Sequence, residues 1–180
     1  MKEKALLVGN VILFLFAALV LVATQTSLWL QIFGYAPPPA LWIPALVYIA
    51  LFRSTLMLII VSHLMAIALS SATAMPEGLL MVSCLSVALG IQFFKARFFW
   101  TATTYFMLVS GIAVLLFHCV HFLASWVVGD HPVTSPEISD WIIQALLTPL
   151  FAPALFPVFR WFDSITQQSE SAEIAGTMST

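Results

Sequence analysis

The stretch His118-Cys119-Val120-His121 has Asp130 and His131 close behind it. Residues i and i+3 share a helix face, so His118 and His121 could both reach one metal ion. A zinc site takes three or four ligands, and the third is open between His131, Asp130 and His63. The plainer use of these histidines is hydrogen bonding across helices or contact with interfacial water. They stand as weak candidates, and no metal or cofactor is assigned. Ser110-Gly111 with His118 is a poor match to a rhomboid-like serine protease, which needs a Gly-x-Ser context. Ionisable groups buried in lipid are usually functional, and His63 and His118 are the only two at depth. No Asp or Glu falls at the middle of an apolar run, which argues against a proton-driven transporter and an intramembrane aspartyl protease. No catalytic residue is assigned, and the chain reads as non-enzymatic.

The elements that must position these residues are set by composition. Of 180 residues, 62% are hydrophobic and only 8% charged. A soluble domain carries about 25% charged residues. A chain of this length has too little interior to hide that much apolar surface, so lipid must be its main solvent. The net charge of −2 points to no polyanionic partner. Cys84 and Cys119 both lie in apolar runs and read as free, small apolar groups.

A spanning helix needs about 20 apolar residues. Five boundaries, read from charge, proline and glycine, divide residues 1–166 into six spans: 5–23, 40–52, 54–72, 79–94, 98–128 and 140–159. Thr24–Ala40, ending in Pro37-Pro38-Pro39, reads as a loop partly sunk in the interface. Gly129–Ser139 reads as a polar outer loop, and 167–180 as a polar, disordered tail. With a turn at Arg53-Ser54, both termini fall on the cytoplasmic side. Lys2, Lys4, Arg53, Lys95, Arg97 and Arg160 then all lie on that side too, as basic residues prefer. Glu77, Asp130, Glu137 and Asp140 lie outside. The tryptophans fall near span ends, Trp29, Trp42, Trp126 and Trp141 outside and Trp100 and Trp161 inside. The fold class is therefore an all-α integral membrane protein of six transmembrane helices, in one domain.

Small and hydroxyl residues form stripes suited to close helix packing: Ser62, Ala66 and Ser70 on one helix, and Ser83, Ser86 and Gly90 on the next. A ligand cavity is the alternative use. Pro149, Pro153 and Pro157 recur every fourth residue, just before Arg160. Each proline lacks the N–H that would bond the carbonyl four residues earlier, which frees the carbonyls of Ala145, Pro149 and Pro153. In lipid a freed carbonyl must meet protein, water or a hydroxyl, and Thr148 is a candidate donor. The stripe is expected to face other helices, as a bend that closes the bundle or as a docking surface.

Three segments together resemble the rod shape-determining MreD family of bacterial inner-membrane proteins. "PPPALWIPALVYIALFR", Pro37–Arg53, is similar to that family's proline-led second span ending in a basic residue. "MAIALSSATAMPEGLLMVSCLSVALGIQFFKARFF", Met65–Phe99, is similar to its span, small-residue turn, next span and basic pair. "QALLTPLFAPALFPVFRWFD", Gln144–Asp163, is similar to its last helix, with Ala-Leu-Leu, a proline, Phe-Pro, Arg and Asp. The chain departs from the family at Ala40-Leu41 and Ala68-Leu69-Ser70-Ser71, where an Asp commonly stands. The resemblance implies a non-catalytic scaffold of cell-wall (peptidoglycan) elongation in the bacterial inner membrane. It would bind an MreC-like bitopic protein and wall synthases, and help maintain cell shape. It also implies a bundle like that of the substrate-binding S-components of energy-coupling-factor transporters. A vitamin-binding S-component is the alternative function, with Gln25, Gln31, Tyr35, Asp130 and His131 as candidate pocket residues.

Overall fold

The computed structural model describes residues 2–73, 75–95, 102–128 and 135–166, and every regular element among them is helical. The helices are α1 (Lys2–Ala23), α2 (Trp29–Phe33), α3 (Ile43–Phe52), α4 (Thr55–Ala72), α5 (Glu77–Lys95), α6 (Ala102–Val128) and α7 (Ser135–Ile165). A π-helical turn, Thr24–Leu28, joins α1 to α2. Five helical runs are long and apolar enough to cross a membrane, which makes the chain a multi-pass membrane protein by length and composition.

The second expected span is short for a bilayer core, and the structure shows why. The stretch 40–52 forms a helix of only 10 residues, about 15 Å long and half a bilayer core. It needs no more length, because lipid does not surround it. Ile43 to Leu51 are all buried, and α3 packs against α1, α4, α5, α6 and α7. A helix apolar all round belongs in the interior. Prolines set its start: Pro37 to Pro39 are non-helical, and Pro44 sits in its first turn, where a missing N–H leaves no bond unmade. Arg53 is extended (φ −118°, ψ 165°) and ends it.

Other expectations are corrected. Thr24–Phe33 is helical, because the apolar pattern of α1 runs on through the π turn, giving a run of 28 residues from Leu6 to Phe33. The segment expected as an outer loop is helical from Ser135 onward, since Pro136 occupies the first turn of α7. Trp42 faces the protein interior: it is 8% exposed and packs edge-on against Phe117, ring centres 5.0 Å apart. The loop 129–134, the tail 167–180, Arg97 and Trp100 lie outside the described residues.

The long helices bury narrow faces. On α1 these are Asn10, Phe14, Ala18 and Val22, one residue per turn. On α7 they are Ala145, Thr148, Ala152, Phe156, Phe159, Asp163 and Thr166, at steps of three and four. Between them an aromatic cage closes on Tyr48 of α3. Phe14, Phe159 and Phe52 have ring centres 5.5, 5.4 and 4.7 Å from it.

Candidate functional site

At the Arg53 end of the bundle, five polar side chains meet inside the apolar interior. Arg53 and Asp163 form a buried ion pair. The other Asp163 oxygen accepts from Tyr48 Oη at 2.7 Å. Asn10 Nδ2 donates to Asp163 Oδ1 at 3.1 Å and to Thr166 Oγ1 at 2.7 Å, while its Oδ1 accepts from Arg53 Nη2 at 3.3 Å. Thr166 passes its own proton to the Phe162 carbonyl, 2.8 Å away. The cluster ties α1, the α3–α4 break and the end of α7 together. Buried charge is tolerated when it is paired and its remaining lone pairs are filled, which is the arrangement here. Arg53 is thus a buried structural cation rather than a solvated loop residue. Gln92 adds a bond at 3.4 Å from its side chain to the Arg53 carbonyl, drawing the Lys95 end of α5 to the same place. Tyr48, Asn10 and Thr166 were not singled out from sequence, and Asp163 entered only as part of the resemblance. The available signal was Asn10, a polar interruption of the first apolar run.

The proline face is divided. Pro149 and Pro153 are half-buried and Pro157 is exposed, while the face of α7 beside them is buried. Pro149 lies against Gly111: a Cβ added there would come 2.7 Å from Pro149 Cγ and 3.0 Å from the Ala145 oxygen. The carbonyl that Pro149 deprives of its helical donor therefore meets the one residue of α6 small enough to admit it. Thr148 does not satisfy a freed carbonyl; it donates to Gln144 O at 2.7 Å and accepts from Ala40 N at 2.9 Å. Arg160 is exposed.

The histidine pair is split between neighbours. His118 Nε2 lies 2.8 Å from Gln144 Oε1, and its ring stacks on Trp141. His121 Nδ1 lies 3.4 Å from Ser83 Oγ on α5. His63 is exposed, and Asp130 and His131 lie outside the described residues. Among the described residues no three His, Cys, Asp or Glu come close enough to hold a metal. Cys84 is buried, Cys119 is exposed, and both are free. Ser62, Ala66 and Ser83 are buried. Ser86 is exposed, so it does not share Ser83's contact, and Ser70 bonds back to Ile67 O of its own helix at 2.8 Å. Gly90 faces Leu116, whose Cδ2 would lie 3.4 Å from an added Cβ.

Toward the other end, six helical segments surround a cavity of about 130 Å³. Gln25, Thr26, Thr73, His118 and Gln144 give it polar walls, and Trp42, Phe117 and Leu80 apolar ones. Of the expected pocket residues that are described, Gln25 lines it, while Gln31 and Tyr35 are exposed. No protein-family model matches this sequence, no curated protein matches it, and no solved structure does.

Proposed function

We propose that the chain is a non-catalytic scaffold of cell-wall elongation in the bacterial inner membrane, of the kind its resemblance to MreD implies. In this reading it crosses the membrane six times, with α3 as the short second crossing. The N-terminal end of α1 and the C-terminal end of α7 face the cytoplasm. It binds an MreC-like bitopic protein and, through it, wall synthases.

One observation carries the reading. Two of the segments that carry the resemblance, Pro37–Arg53 and Gln144–Asp163, are joined at both ends of α3. Ala40 N bonds Thr148 Oγ1 at one end, and Arg53 pairs with Asp163 at the other. Segments far apart in sequence that resemble one family in turn, and that depend on each other in space, support a shared design. The test is affinity capture of the tagged, membrane-extracted protein. An MreC-like bitopic protein should be recovered in stoichiometric amount; its absence after in-cell cross-linking counts against the scaffold.

The S-component reading draws support from the cavity beside Gln25. At about 130 Å³, that cavity is well below the roughly 300–1,000 Å³ of sites for drug-sized ligands. A larger cavity, about 450 Å³ between α5 and α6, is lined by apolar residues and Tyr105, too few polar groups to orient a vitamin, so the scaffold reading stands first.

A further inference from the structure

We infer that the cavity bounded by Gln25, Thr26 and Thr73 is a binding site for a primary ammonium group. The argument is independent of the scaffold reading and starts from where the hydroxyl protons go. Thr26 Oγ1 donates to Val22 O at 2.9 Å, and Thr73 Oγ1 donates to Leu69 O at 2.9 Å. Each hydroxyl has one proton, so both oxygens can only accept a further bond; both residues line the cavity, with Thr26 at its solvent-exposed rim. Gln25 Oε1 is buried and has no hydrogen-bond partner among the described residues. On the opposite wall His118 and Gln144 are engaged with each other.

The cavity therefore offers three acceptor oxygens. An alkylammonium has three N–H donors and no acceptor, which matches that set. A buried acceptor left unpaired, as Gln25 Oε1 is among the described residues, is destabilising, so occupancy has a driving force. The volume, about 130 Å³, equals about four water molecules at ~30 Å³ each. That admits an ammonium on a short stem. Trp42 and Phe117 present ring surface to the same space, and aromatic faces attract cations. Gln25 and Thr26 stand on the π-helical turn, a local distortion that recurs at functional sites. Such a group has two sources, a free short-chain amine or the ethanolamine headgroup of a phospholipid.

The test uses the full chain in discs of phosphatidylcholine and phosphatidylglycerol. Ethylammonium chloride is titrated against sodium chloride at equal ionic strength, with tryptophan fluorescence and thermal unfolding as readouts. A saturable response to ethylammonium alone is expected. Gln25→Leu and Thr73→Val should each weaken it about tenfold, whereas Gln31→Leu, on the exposed surface, should not. Gln25→Glu should tighten it, which a purely structural Gln25 would not do. Native mass spectrometry in discs containing phosphatidylethanolamine separates the sources. A retained lipid displaced by ethylammonium assigns the headgroup; binding unaffected by that lipid assigns the free amine. No saturable response in the wild type, or one unchanged in Gln25→Leu, overturns the site.

Discussion

Arg53 and Asp163 are each nearly removed from solvent, with side chains 3% and 6% exposed. A pair of this kind is held by what surrounds it. Removing one partner strands the other charge, at about 3–5 kcal/mol. Asp163→Asn and Arg53→Met should therefore each lower the midpoint of denaturant or thermal unfolding strongly. The double variant Arg53→Met/Asp163→Leu should recover part of the loss, because no lone charge remains. A double variant as unstable as the sum of the singles would refute this coupling. Tyr48→Phe should cost less, since it removes one bond at 2.7 Å and keeps the aromatic cage. In the sequence Arg53 reads as a boundary marker, because basic residues collect at membrane edges. Its partner lies 110 positions away, and no local pattern connects the two. The histidines mislead for a related reason: spacing gives a shared helix turn but not which neighbour each ring meets.

Among the elements, α7 is the most informative. Its three prolines are tolerated inside a continuous helix of 31 residues. The structure explains one of them closely. Gly111 accepts Pro149 and the Ala145 carbonyl at a distance no side chain would permit. Gly111→Ala should destabilise by about 1–3 kcal/mol through overpacking. Gly9→Ala is the control: nothing lies within 4 Å of the added carbon, so the helix should gain about 0.5–1 kcal/mol. Thermal unfolding in detergent checks both. Pro157→Leu, at an exposed site, should be neutral or stabilising, whereas Pro149→Leu should be destabilising. Replacing all three prolines separates bundle closure from docking: normal folding with lost partner capture would mark a docking surface. The positions of α4, α5 and α6 were legible from apolar length and charged ends. That α3 is short was legible from its bounds, but its full burial was not, because an apolar segment reads alike whether lipid or protein surrounds it. The π turn was hidden too, since Thr24 to Leu28 resembles a loop by composition.

For the whole molecule, contacts gather the Arg53 break, the Lys95 end of α5 and the Asp163 end of α7 at one end of the bundle. Asn10 brings the start of α1 to the same place. The starts of α5 and α7, with Glu77 and Glu137, lie at the opposite ends of their helices. Arg53 and Lys95 thus share one end with the buried Asp163, while Glu77 and Glu137 stand at the other ends of their helices. The class of fold was legible because composition alone demands lipid. Function was not, because apolar helices of unrelated proteins resemble one another. The proposed role in wall elongation is tested by depletion in a rod-shaped host lacking a second copy. Cell width and incorporation of labelled wall precursor along the side wall would be followed after depletion. Rounded cells and loss of dispersed incorporation, restored by the wild-type chain, are expected. Rods of normal width with normal incorporation would contradict it.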